Sequence, residues 1–93
     1  MRSDWSFLTN HAHVMVCLAK SQDLTLREIG DLVGITERAT HRIIDELVTE
    51  GAIKKTRHGR GNHYELNLDF RFRHPLEAHC TVGQLLRVLR KRR

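Results

Sequence analysis

Seven histidines, two cysteines and many arginines are the residues of this 93-residue chain whose types can do chemistry. Thiolate and imidazole ligands together suit a tetrahedral zinc ion. His74, His79 and Cys80 lie close enough in sequence to approach one another. Yet there is no Cys-x-x-Cys and no His-x-x-x-His pair. His11 and His13 are two apart, which on a helix turns them about 200° from each other, a poor arrangement for one ion. A Cys–His nucleophile needs a third, orienting group. Cys17 sits among Val14, Met15 and Leu18 and reads as a small buried apolar residue, while Cys80 has no phosphate-cradling glycine loop or oxyanion donor near it. These residues imply neither an enzyme nor a resident metal or other cofactor.

The cations are more informative. Net charge is +5, divided unequally. Residues 1–50 carry five basic and eight acidic side chains, whereas residues 51–93 carry eleven basic and three acidic. A basic half on a small domain is the footprint of a polyanion binder, with nucleic acid and anionic membrane both admissible. Composition narrows the class further: 40% hydrophobic, 29% charged and 5% aromatic residues suit a folded globular domain and exclude collagen-like, low-complexity and disordered chains. No apolar run approaches the ~20 residues of a membrane span, and no signal-like apolar stretch follows Met1-Arg2-Ser3-Asp4. Two cysteines are too few for a disulfide scaffold and fit a reducing cytosol, so a cytoplasmic location is expected. The length suits one domain, residues 1–93, burying about 60–65% of its unfolded surface and too small for a large enclosed cavity.

The elements that must position these side chains follow from periodicity and caps. Thr9 can cap a helix from about Asn10 to Lys20, with Val14, Met15 and Leu18 on one side. Thr25-Leu26-Arg27-Glu28 is a capping-box pattern opening a short helix that presents Leu26, Ile29 and Val33 together. Gly34 breaks it. Thr36 caps a third helix, and Gly51 is placed to end it after Glu50. Ala52–Arg57 and His63–Leu68 then read as two strands, the second alternating Tyr64, Leu66 and Leu68 on one face, with His58–Asn62 as the turn. A linker containing Pro75 leads to a second capping box, Thr81-Val82-Gly83-Gln84, and a helix over 81–90 with Val82, Leu85, Leu86 and Leu89 at helical spacing. The expected architecture is mainly α with a small antiparallel β-hairpin, in the order helix-helix-helix-strand-strand-helix. Residues 9–50 form a three-helix core and 52–68 a hairpin.

Two helices joined by a short glycine-containing turn form a helix-turn-helix, here over 25–50. Gly30 supplies the small residue where the helices cross, and Gly34 the turn. At about 100° per residue, Thr40, Ile43, Ile44 and Leu47 of the third helix cluster toward the core. The Thr40 hydroxyl can bond the carbonyl one turn back, at Thr36. Arg38, Arg42, Asp45 and Thr49 cluster opposite, with Glu37 and His41 on the flanks. Arginine is the commonest reader of guanine in the major groove, and that groove admits a helix. The same face can also be an ordinary solvated one. The hairpin tips the balance, because Lys54, Lys55, Arg57, His58, Arg60 and His63 surround a Gly-Arg-Gly tip suited to a phosphate or a minor groove.

This arrangement resembles the winged helix-turn-helix regulators of the MarR-like and ArsR-like classes in bacteria and archaea. The segments that carry the resemblance are Val33-Gly34-Ile35-Thr36-Glu37-Arg38, Trp5 to His11, Gly59-Arg60-Gly61-Asn62-His63-Tyr64, Arg73-His74-Pro75-Leu76-Glu77 and Thr81-Val82-Gly83-Gln84-Leu85-Leu86. The resemblance covers roughly residues 5–89. Gly61 stands where that pattern has arginine, which removes one wing cation, and Thr40 stands where it has valine. The resemblance implies a cytoplasmic transcription regulator that binds double-stranded DNA through a recognition helix over 36–50 in the major groove and a basic wing on backbone or minor groove. Thr36, Glu37, Arg38, His41, Arg42, Lys55, Arg57, Arg60 and Asn62 are the expected DNA-binding residues. ArsR-like relatives include metal sensors, but the cysteine-rich stretch they carry before the recognition helix is missing here.

A winged helix can also serve as a protein-docking module, and Asp45 and Glu46 lean toward that alternative. A surplus of apolar residues completes the reading. Trp5, Phe7, Val82, Leu85, Leu86 and Leu89 exceed what a three-helix core needs, so they are expected to fold back on the first helix or to form a homodimer interface. Small helix-turn-helix proteins commonly bind paired half-sites, which favours the dimer. The basic tail from Arg90 to Arg93 would lie beyond that interface. The chain does not specify a small-molecule effector or an operator.

Overall fold

The computed structural model describes residues 5–90. The Thr9 hydroxyl accepts from the Ala12 amide and starts α1 (Asn10–Lys20). Both halves of the capping box between Thr25 and Glu28 are formed and start α2 (Leu26–Val33), so two amides that would otherwise lack partners are satisfied. Gly34 stops α2 at φ 93, a left-handed conformation that a side chain would strain. Thr36 caps α3 (Glu37–Glu50) by accepting from the Ala39 amide at 3.0 Å. The helix-turn-helix is thus set by local signals at each end of each helix.

The crossing of α2 over the start of α3 depends on Gly30. A Cβ there would lie 2.8 Å from the Ile35 carbonyl oxygen and 3.0 Å from the Thr40 hydroxyl. The Gly30 carbonyl accepts from the amides of both Gly34 and Ile35, which holds the turn against the helix. Thr40 is fully buried, and its hydroxyl donates to the Thr36 carbonyl at 2.9 Å, as its spacing predicts. A polar group at this core position is therefore satisfied.

After Gly51 come β1 (Ile53–His58) and β2 (Gly61–Leu66), antiparallel, with Ile53 opposite Leu66 and His58 opposite Gly61. The loop is only Gly59-Arg60, shorter than the expected turn over His58–Asn62. Gly59 has φ 61 and no non-glycine residue among the described residues has positive φ, the signature of a type II′ turn. Such a turn has the twist of the flanking strands, so pairing continues to the tip. At the other end the second strand stops at Leu66 rather than Leu68. The Asn67 amide donates to the Ala52 carbonyl and its side chain accepts from the Asp69 amide, which bends the chain away and leaves Leu68 exposed.

Val14, Leu18, Ile29, Ile43, Ile44, Ile53 and Tyr64 share one core. Tyr64 also donates its backbone N–H to the Gln22 carbonyl at 2.9 Å, fixing the hairpin to the α1–α2 connection. The segment around Pro75, expected as a linker, is a closed loop. Phe72 N–H donates to the Cys80 carbonyl and Val82 N–H to the Phe70 carbonyl, while Phe70 and Phe72 pack half-buried against the core. The capping box of Thr81 and Gln84 then opens α4 (Val82–Leu89). Val82, expected among the surplus apolar residues of the terminal helix, is 5% exposed and belongs to the core, because the Phe70–Val82 hydrogen bond draws the start of α4 inward. Lys91 to Arg93 of the basic tail lie outside the described residues.

Candidate nucleic-acid interface

α3 carries its polar residues on the outside as rotation requires. Thr36, Glu37, Arg38, His41 and Arg42 are all exposed. The acidic residues of α3 are mostly occupied within the protein. His41 lies 3.4 Å from Asp45, one turn on. His11 of α1 donates from Nε2 to Glu46 at 2.6 Å. Arg73, from the loop before α4, pairs with Glu50. The His11 hydrogen bond holds the Glu46 carboxyl below the usual carboxylate range, helped by the charges of His11 and Arg42 and opposed by a little burial. Arg38 and Arg42 lie in the first half of α3 together with Glu37, and the carboxylates held by α1 and the closed loop lie near its end.

The wing divides its cations between two faces. Side chains alternate along a strand, so Lys55, Arg57 and Asn62 share the face of Ile53 and Tyr64, while Lys54, Thr56, His58 and His63 lie on the other. Lys55 and Arg57 are exposed because the hairpin extends past the core, and Arg60 sits at the tip. Burial pushes the Tyr64 phenol up, eased by an Asn62 hydrogen bond and reinforced by the Asp45 carboxylate. Tyr64 packs in the core with Ile43 and Ile44 of α3, and Lys55 and Arg57 continue the same hairpin face beyond that core. His63 is turned away: its Nδ1–H donates to Asp23 at 2.8 Å, a tie between wing and body that a reading of the wing as one basic cluster missed.

The remaining predicted residues are scattered. His74 Nδ1 accepts from the Leu76 amide, Cys80 is half-buried, and no group of three or more metal-ligating side chains is assembled among the described residues. Trp5 and Phe7 stack edge to face with centroids 5.0 Å apart and are 67% and 92% exposed. Leu85 and Leu86 are half-buried, and Leu89 is exposed. Sequence reasoning missed Val88 and Leu76, exposed at 80% and 81%. It also missed a groove of about 710 Å³ between the N-terminal segment, α1, the closed loop and α4, lined by Phe7, Met15, Phe70, Phe72 and Leu85 among others. The alternation Phe70-Arg71-Phe72 was the available signal for it.

The MarR family sequence profile matches residues 9–60, which is α1 through the tip of the wing. The chain belongs to the MarR family. No curated relative matches it. Membership makes it a transcription regulator of the winged-helix type, a class of regulators and not of enzymes. The matched MarR residues include the whole helix-turn-helix and Gly59-Arg60, while β2, the closed loop and α4 lie beyond the match. No helix among the described residues is long and apolar enough to cross a membrane.

Proposed function

We propose that this MarR-family protein is a sequence-specific regulator that binds double-stranded DNA, with α3 in the major groove and the wing on backbone or minor groove. The observation that carries the proposal is the pairing pattern on α3. Three carboxylates are engaged by His41, His11 and Arg73, while Arg38 and Arg42 stay exposed near the helix start. Recognition helices contact bases mainly through their N-terminal residues. Lys55, Arg57 and Arg60 on the wing supply sequence-independent attraction, and Asn62 joins them on the same face.

The protein acts in the cytoplasm as a homodimer, on this reading, built from Trp5, Phe7 and the terminal helix with Leu85, Leu86, Val88 and Leu89. Dimerisation would set two recognition helices about 34 Å apart, one turn of duplex. Selection from a random duplex pool tests the whole proposal, with binding then measured against salt. A palindromic consensus and a steep loss of affinity with salt are expected. Arg60→Ala should weaken binding to every duplex and reduce the salt slope by about one charge. Binding that ignores salt would instead favour the docking-module alternative, for which the acidic end of α3 and the exposed Phe7 and Leu76 speak.

A further inference from the structure

Glu37 is the one carboxylate of α3 without an ion-pair or hydrogen-bond partner among the described residues; Asp45, Glu46 and Glu50 all have one. It is exposed, in the first turn of α3, and next to Arg38, which is likewise in no ion pair. On a surface that meets a polyanion, an unneutralised carboxylate is repelled by phosphate and lowers affinity everywhere except beside a hydrogen-bond donor. The major groove offers two donors, cytosine N4 and adenine N6. Adenine sets its N7 acceptor beside the amino group, and a carboxylate has no proton to give it. Cytosine presents the amino donor alone. Arg38 has the complementary preference, because its fork meets the paired O6 and N7 acceptors of guanine.

We infer that Glu37 selects a cytosine, and Arg38 a neighbouring guanine, in each half-site of the operator. This rests on the reading of α3 as the helix in the major groove. Glu37 then works by exclusion as much as attraction. It penalises binding wherever no cytosine faces it, so affinity for non-cognate duplex falls while the cognate site is spared.

A carboxylate in the first turn also favours a helix through the macrodipole, a role that would leave no trace in base preference. Glutamine separates the two roles, because its amide both donates and accepts and pairs bidentately with adenine. The experiment is selection from a random duplex pool with the intact protein and with Glu37→Gln, Glu37→Ala and Arg38→Ala. The expected result is a half-site with adjacent cytosine and guanine. Glu37→Gln should change the cytosine to adenine and leave the other positions as they were. Glu37→Ala should lose preference at that position, by roughly 5- to 150-fold on the scale of one good base contact, and bind random duplex more tightly. Arg38→Ala should lose the guanine alone. An unchanged consensus for Glu37→Gln and Glu37→Ala, with only a lowered melting temperature, overturns the base-reading role and leaves DNA binding standing. Recovery of no duplex by the intact protein overturns the DNA-binding reading and this inference together.

Discussion

The most exacting contact behind the helix-turn-helix is at Gly30, and Gly30→Ala tests it. In an exposed helix interior this change stabilises by about 1 kcal/mol, since alanine is the better helix former. Here the new methyl would stand 2.8 Å from the Ile35 carbonyl oxygen and 3.0 Å from Thr40 Oγ1. The first neighbour is backbone and cannot swing aside. It belongs to a turn whose Gly34 and Ile35 amides both donate to the Gly30 carbonyl, at 2.7 and 3.0 Å, so moving Ile35 away stretches the bonds that close the turn. The second neighbour can rotate only by giving up the Thr40–Thr36 hydrogen bond in a fully buried site. An unsatisfied buried hydroxyl costs about 1–3 kcal/mol, and overpacking a tight contact about 1–3 kcal/mol. Set against the propensity gain of about 1 kcal/mol, the two costs together leave a net loss of about 1–5 kcal/mol.

Urea denaturation followed by circular dichroism measures this directly, and a domain of this size should lose about 4–8 °C of melting temperature per kcal/mol. Thr40→Ala removes the side-chain half of the clash while leaving the carbonyl. Gly30→Ala combined with Thr40→Ala should therefore cost less than the sum of the two single changes. A Gly30→Ala protein as stable as the original, or more so, would refute the crossing geometry. It would mean that α2 and the start of α3 stand further apart.

Three other outcomes are expected. Glu46 has its pKa depressed mainly by the His11 hydrogen bond, so its contribution to stability is present above the ordinary carboxylate range and is lost as pH falls through its folded-state value. Acid titration of stability should thus separate the original protein from Glu46→Gln at neutral pH and bring the two together at low pH; a constant difference would contradict the pair. Burial keeps the Cys17 thiol protonated and inaccessible, while Cys80 is half-exposed. A maleimide should label one thiol quickly in the native protein, at Cys80, and both after denaturation, whereas rapid labelling of Cys17 would contradict the α1 packing. Val88 is 80% exposed and outside the core, so on the proposed dimer Val88→Glu should keep the native circular dichroism spectrum, shift sedimentation from dimer to monomer and remove the concentration dependence of melting. A variant that stays dimeric would move the interface off this face of α4.

The parts of the fold legible in the sequence were those governed by residues within one helical turn. Thr9, Thr25 and Thr36 each mark the residue before a helix, and Gly34 and Gly51 each mark its end, because capping satisfies orphan amides and carbonyls locally. Even the buried hydroxyl of Thr40 could be assigned its acceptor, since Thr36 is four residues back. What failed was non-local. The burial of Val82 depends on a bond to Phe70 twelve residues earlier, across a loop whose Pro75 reads as an interruption. The length of β2 depends on a two-residue turn that keeps the strands in step, and its end depends on Asn67 meeting Ala52. The tie between His63 and Asp23 spans forty residues and gives no periodic signal.

The candidate site shows the same division, with a consequence for how the interface works. Rotation alone places Glu37, Arg38, His41, Arg42 and Asp45 on the outer face of α3. It cannot say which of their charges are free, because the partners come from α1 and from the loop before α4. α3 carries two arginines against four carboxylates, a balance that taken alone argues against a polyanion partner. His11 and Arg73 change that balance by engaging Glu46 and Glu50 at its far end. On the proposed DNA-binding reading, the bulk of the electrostatic attraction would then come from the wing, where Lys55, Arg57 and Arg60 have no carboxylate paired with them among the described residues. α3 is left with little net charge to spend on affinity and a mixed set of donors and acceptors at its start. A helix of that kind is suited to discriminating among base edges, with the wing, in the proposed complex, supplying the hold on the backbone.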